Sequence, residues 1–379
     1  MIDRVDPIVG LALASCVRGE RGPDLQRAVE LGLLGPLIDA GRFHRVLNLV
    51  HLVVADLIDE EDPKAIGLKR YYVHQVGHHL RALEDLAWLG RVLDERGVSW
   101  VLVKGPVLSE VVYERSDLRV YQDLDIVIAP DAYTDAIDAL ESAGCELLDR
   151  NWDVIRREGR AQLHVSLRLG TVADVHRHLL NRAIVRHSFA VPMGDLFARA
   201  RTVTVGAVTV KTLDPVDTLL HLCIHASLAG AHQLLWLKDV DESVRREAPS
   251  WEDVLVRARS WRAAPIVAVV LGRARDVLRT PVPSDVLRSL FRSKLRGGAA
   301  ISAFLDRRWP TYTAGNGVTP AVVWAQVVRD TWGTTSLALI RRLTRPVLNA
   351  VRGRDPTEPR GSSEHEVRID GTGRTVHGS

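Results

Sequence analysis

Apolar residues recur every three or four positions through the first hundred residues, and only mid-chain does that spacing give way to alternation. Between Tyr71 and Arg96, Val73, Val76, Leu80, Leu83, Leu86, Leu89 and Val92 fall on one helical face, and Gly97 stands where such a helix stops. The texture then changes. Ser99–Lys104 is apolar and β-branched and runs into Gly105-Pro106, predicting a strand, a tight turn and a short helix from Leu108 to Tyr113. Leu124–Ala129 predicts a second strand, stopped by Pro130, and Asp131–Gly144 an amphipathic helix capped by Asp131. Leu163, Val165, Leu167 and Leu169 alternate as a half-buried strand; Thr171–His176 supplies another, with Gly170 at the turn. Val203–Val210 reads as a hairpin, and Asp214-Pro215-Val216-Asp217 opens a new helix with a capping acid and proline in its first turn. From there to about Val351 the period is helical again.

This order divides the chain into an N-terminal helical region (1–97), an α+β core (98–212), a C-terminal helical domain (213–352) and a tail (353–379). The tail is rich in Gly, Ser, Pro, Glu and Arg; with so little apolar surface to offset chain entropy it is expected to be disordered. The longest nearly apolar stretch, Val46–Ile58, is interrupted by His51 and Asp56 and is much shorter than the roughly 20 residues of a membrane span. The first residues alternate acidic and apolar rather than building a basic leader. Cys16, Cys145 and Cys223 lie far apart, with neither zinc spacing nor an even disulfide framework, and read as small buried hydrophobes in a reducing, cytoplasmic setting.

Charge alters this picture only in its distribution. The chain carries a net +3, but from Trp251 onward it holds 21 Lys and Arg against 11 Asp and Glu. The first 250 residues hold 29 against 36. A basic last third attracts phosphate-bearing partners, or is simply a solvated arginine-rich surface. Arg341, Arg342 and Arg345 sit among Leu337, Leu339, Ile340 and Leu343, a pattern read first as a partner-facing or merely solvated helix, with a membrane surface or RNA as the alternatives. Without interleaved aromatics, nucleic acid is not the expected partner.

Candidate chemistry gathers in the middle. Asp123 and Asp125 are two apart at the head of an apolar strand, so both carboxylates share one face. Paired anions repel unless a cation lies between them, and magnesium takes one or two carboxylates together with substrate phosphates. Such a pair suits phosphoryl or nucleotidyl transfer. Lys104-Gly105 stands at a strand-to-helix junction, where unpaired amides and a close backbone receive phosphate, and Arg119 adds a second cation. Asp174, a lone acid in an apolar strand, implies a partner cation or a metal. His176 shares its strand face as a substrate contact, proton shuttle or structural residue. His221 and His225 are one helical turn apart without the glutamate of a metalloprotease, and His225 is taken as a cleft contact. His74, His78 and His79 on the first long helix are read as solvated or packed.

Taken in order, Val101-Leu102-Val103-Lys104-Gly105, Leu108, Tyr113, Leu118-Arg119, Asp123-Leu124-Asp125-Ile126-Val127-Ile128, Asp174-Val175-His176, Leu213-Asp214-Pro215, His221 with His225, and Trp236-Leu237-Lys238-Asp239 resemble an uncharacterised bacterial nucleotidyltransferase family. That family belongs to the DNA polymerase beta-like superfamily, and the resemblance runs from about Tyr72 to Arg245. It implies a small mixed sheet with packed helices, flanked by helical domains that form the acceptor site. Asp123, Asp125 and Asp174 would hold magnesium, or manganese in its place. Asp174 would help activate the acceptor hydroxyl, and Lys104, Gly105 and Arg119 would bind the nucleotide. The activity implied is transfer of a nucleoside monophosphate, AMP from ATP, onto a hydroxyl or phosphate of an acceptor. Lys104-Gly105 replaces the superfamily's Gly-Ser turn, and Pro106 removes a backbone amide from it. That departure keeps open a second reading, a non-catalytic nucleotide-binding or regulatory protein with the same fold.

Overall fold

Strand-forming residues between Trp100 and Thr212 assemble seven strands into one mixed sheet: β1 (Trp100–Leu102), β2 (Asp123–Ile128), β3 (Glu146–Leu147), β4 (Gln162–Ser166), β5 (Val172–His176), β6 (Arg201–Val205) and β7 (Val208–Thr212). Their order is β3-β4-β5-β2-β1-β7-β6. At its centre β2 pairs parallel with β5 and antiparallel with β1, so that Asp125 lies opposite Asp174 and Val127 opposite His176. Next to it β4 runs antiparallel to β5 and sets His164 beside Asp174. The computed structural model describes residues 6–149, 151–292, 295–306, 319–351, 368–369 and 375–376.

Alternation along the strands decides what each sheet face carries. Leu102, Leu124, Ile126, Ile128, Leu163, Val165, Ala173 and Val175 join one core with Ala82, Leu86, Leu89 and Leu93 of the Pro63–Glu95 helix and with Ala136 and Leu140 of the Tyr133–Ser142 helix. The intervening residues of β2, β4 and β5, among them Asp123, Asp125, Gln162, His164, Asp174 and His176, belong to the opposite face.

Two compact units result. The sheet unit comprises His78–Val111, Tyr121–Asp217 and Ile340–Ser379; the helical unit comprises Met1–Gly77, Val112–Val120 and Thr218–Leu339. The two units are interleaved along the chain, because helical stretches before and after the sheet pack with each other. In the helical unit the Pro7–Val17 helix contacts the Leu234–Glu247 and Ala264–Leu278 helices.

Local differences have local causes. The long helix buries Ala82, Leu86, Leu89 and Leu93, whereas Val73 and Leu80, expected on its apolar face, are 60% and 61% exposed. Ala82 and Leu93 continue the 3.6-residue period that binds to the sheet, while the chosen stripe drifts off it. Asp131 lies in a 3₁₀ turn, Pro130–Ala132, and does not cap the helix that follows. Asp214 does cap: its Oδ1 accepts from the Asp217 amide at 2.8 Å. Gly97 and Gly170 adopt positive φ at the helix stop and the turn where each was expected. In the tail, only the paired segments Arg368–Ile369 and Thr375–Val376 are described; the rest of the expected disordered segment lies outside the described residues.

Candidate functional site

The polar face of the central strands is built from residues that the pairing register cannot separate. Parallel register places Asp125 and Asp174 side by side, and period two brings His176 onto the same face. One ligand atom from each of these three side chains lies within 4.8 Å of the other two, a grouping able to hold a metal ion. Asp123, half-buried, shares that face of β2.

Asp125 Oδ1 is 2.9 Å from the Lys104 ammonium and 3.3 Å from His176 Nε2. Burial pushes the Asp125 carboxyl up, but the Lys104 charge and the His176 contact outweigh it and hold the carboxyl well below its usual range. Asp174 goes the other way. Burial and the neighbouring Asp125 charge push it up to about 6, with Asp123 adding to the repulsion and His164 and His176 opposing it. Two carboxylates in register therefore differ in proton affinity, one held ionised and one poised near neutrality.

Asp174 is also the end of a hydrogen-bond chain. Gln162 Nε2 donates to Asp174 Oδ2 at 2.5 Å, and Asn181 Nδ2 donates to Gln162 Oε1 at 2.8 Å. His164 Nε2 lies 3.5 Å from Asp174 Oδ1, while its Nδ1 is 2.8 Å from Asp149 Oδ2, which also accepts the His164 backbone amide. The bond to Asp149 raises the proton affinity of His164. Sequence reasoning missed Gln162, His164, Asp149 and Asn181. The signal present was the polar half of the β4 alternation, opposite the leucines and valines used to find the strand.

The turn after β1 is shaped by Gly105. Its φ is +59°, and a Cβ there would lie 2.8 Å from the Asp123 carbonyl oxygen, so only glycine lets the turn approach the head of β2. Behind it, Tyr121 packs within 3.6 Å of that position. Buried His79 bridges the two segments: its Nδ1 is 2.7 Å from the Tyr121 hydroxyl and its Nε2 2.8 Å from Glu110, which lies in the π-helical turn Leu108–Val112. The histidine read as solvated or packed thus ties the turn-bearing segment to the strand-bearing one.

Two expected site residues fall in the helical unit. Arg119 makes a two-pronged pair with Asp239, Nε to Oδ1 at 2.8 Å and Nη2 to Oδ2 at 3.0 Å, both side chains buried. The Tyr113 hydroxyl donates to the same Oδ1 at 2.8 Å. Both prongs of the Arg119 guanidinium thus face a carboxylate within the helical unit, while Lys104 pairs with Asp125 in the sheet unit. His225 stands in edge contact with His221 and Trp236, at ring distances of 6.4 and 6.1 Å. It belongs to this aromatic group in the helical unit and not to the unit that carries the aspartates.

Cys16 and Cys223 are buried as expected, and Cys145 is half-buried. Burial pushes Cys16 up to about 12 and Cys145 up to about 11, and it raises Cys223 as well. No helix among the described residues is long and apolar enough to cross a membrane.

A family model described as an uncharacterised nucleotidyltransferase matches residues 35–279, a stretch that contains every residue of the aspartate cluster. No curated protein and no solved structure matches the chain.

Proposed function

The chain belongs to the uncharacterised nucleotidyltransferase family, and from that premise we propose that it is a magnesium-dependent enzyme with a polymerase beta-like core. In this reading it moves AMP from ATP onto a hydroxyl or phosphate of an acceptor. The observation that carries the proposal is the convergence of Asp125, Asp174 and His176 beside Asp123 and the Gly105 turn. Hard carboxylate oxygens on one sheet face fit magnesium, with manganese as the alternative. Asp123, Asp125 and Asp174 would hold it, with His176 Nε2 at the edge of the set. Bound there, the metal supplies charge neutralisation and alignment for the phosphates.

The protein's own groups do the rest. Gly105 lets the backbone approach the triphosphate, and Lys104 brings a positive charge to the phosphate oxygens. Pro106 withdraws one amide from that turn, leaving more of the phosphate charge to Lys104. The acceptor oxygen attacks the α-phosphorus, the bond to the bridging α–β oxygen breaks, and pyrophosphate leaves with that electron pair. For a hydroxyl acceptor the proton passes to Asp174, whose carboxylate lies in register with Asp125 on the same sheet face. Gln162 and the Asp149–His164 pair orient that carboxylate. The helical unit is proposed to bind the acceptor, and the cell interior is its proposed place of work.

The test is incubation with each α-labelled nucleoside triphosphate and magnesium, beside Asp123→Ala/Asp125→Ala, offering small-molecule extract, RNA and total protein as acceptors. Label transferred from ATP by the unaltered chain alone supports the proposal. Transfer that persists in the double variant, or that ignores chelation, overturns it.

A further inference from the structure

The last long helix of the described chain, Trp332–Val351, is amphipathic, and five of its large apolar side chains are exposed among the described residues. Trp332, Leu337, Leu339, Ile340 and Leu343 are 41%, 45%, 36%, 57% and 62% exposed. At 3.6 residues per turn these five fall within an arc of roughly 160°, wide enough for the buried stripe of an ordinary surface helix. Ser336 and Thr344 also fall in the arc, and Thr344 satisfies its own hydroxyl by donating to the Ile340 carbonyl at 3.0 Å. Arg341 and Arg342 project from the remaining arc.

The helix is held at its start. Thr335 is buried, accepting from the Arg329 amide at 3.0 Å, and the Trp332 indole N–H donates to the Arg296 carbonyl at 3.1 Å. Leu337, Leu339, Ile340 and Leu343 stand exposed beyond this anchored first turn.

Charge selects what covers that face. From Trp332 to Val351 the sequence carries Arg341, Arg342 and Arg345 and no acidic residue. A second copy of the helix would bring three more arginines and no carboxylate to balance them. An anionic lipid surface brings both the acyl boundary for the apolar arc and the opposite charge for the arginines.

We infer that this helix seats the protein on an anionic phospholipid surface, lying in the interface with Leu337, Ile340 and Leu343 immersed. This agrees with the absence of any membrane-crossing helix among the described residues. The inference is independent of the nucleotidyl-transfer reading, since none of these residues belongs to the aspartate cluster.

The test is flotation of the full chain with phosphatidylcholine vesicles, with and without roughly 30% phosphatidylglycerol. The chain should float with the anionic vesicles and not with the neutral ones. Raising the salt to about 0.5 M should release most of it, because these exposed charges are screened within a few ångströms. Ile340→Asp/Leu343→Asp should abolish binding. Arg341→Glu/Arg342→Glu should weaken it at least about tenfold while leaving the exposed apolar arc intact. Ile340→Asp/Leu343→Asp should melt within a degree or so of the unaltered chain, since both side chains are exposed. Failure to float with anionic vesicles overturns the inference, as does equal binding to neutral ones. So does a dimer, by sedimentation velocity, that Ile340→Asp/Leu343→Asp dissociates in a chain that ignores vesicles. Retention on RNA without vesicle binding overturns it too.

Discussion

A single missing methyl group shapes the proposed phosphate turn. At Gly105 an added Cβ meets the Asp123 backbone oxygen at 2.8 Å, and φ of +59° disfavours any side chain even with space available. Gly105→Ala is expected to destabilise the sheet unit by about 2 kcal/mol and to weaken nucleotide binding, as the turn retreats from the head of β2. Urea denaturation and nucleotide titration check both; an unaltered affinity would separate the turn from the nucleotide. Lys104 permits a sharper experiment. It is the ammonium partner of a buried carboxylate, and removing one member of such a pair costs about 3 kcal/mol or more. Lys104→Met should therefore lower the melting temperature of chelated protein. Because magnesium can replace the lost positive charge at Asp125, added magnesium should raise the melting temperature of the variant more than that of the unaltered chain. An equal rise in both would argue that no metal sits at Asp125.

Above the residues, the elements hold the cluster in register, and one buried acid shows how. Asp85, on the long helix, accepts the amides of Leu169 and Thr171 at 2.9 and 3.1 Å, clamping the turn that joins β4 to β5. Asp85→Ala leaves those two donors without their acceptor and is expected to cost about 2–4 kcal/mol in thermal or urea unfolding. Asp85→Asn should cost less, since its side-chain oxygen still accepts one amide. Sequence periodicity made much of this architecture legible. The long helix before the sheet and the five longer strands announce themselves through spacing, whereas the short helices Trp152–Glu158, Ala183–Arg186 and Met193–Arg199 do not, and Asp123, Asp125 and Asp174 stand out as acids in apolar strands. Gly170 marks the turn but not its clamp, because Asp85 lies 84 residues away from Leu169 and only folding brings them together. His164 and Gln162 were hidden for a related reason: a polar residue on an alternating strand looks solvated until a neighbouring strand supplies Asp174. Arg119 is a further case: its buried partner, Asp239, lies 120 residues further on.

At the scale of the whole molecule, pH is expected to act through histidines that burial holds neutral. The helical unit holds His44, His51 and His232 away from protonation, in each case first through burial. His44 is the extreme: burial, then the charge of His232, lowers it to about 3, and its Nδ1 accepts the Leu234 amide at 3.3 Å, which a protonated ring cannot do. The unfolded chain takes up a proton at His44 near the ordinary value of about 6.5, and the folded chain only near 3. Between those values the unfolded state binds more protons, so stability must rise with pH; it is fully present above about 6.5 and lost as pH falls below it. From pH 7 to pH 5, His44 alone should remove about 2 kcal/mol from the helical unit. His44→Gln keeps a side-chain acceptor without the titration and should flatten that slope, whatever it does to stability at pH 7. The comparison is of urea midpoints at the two pH values, followed through the helical signal. An equal slope in the variant would mean that the acid sensitivity lies elsewhere. A slope reduced by about 2 kcal/mol would place a defined share of the molecule's acid lability on one ring, outside the aspartate cluster.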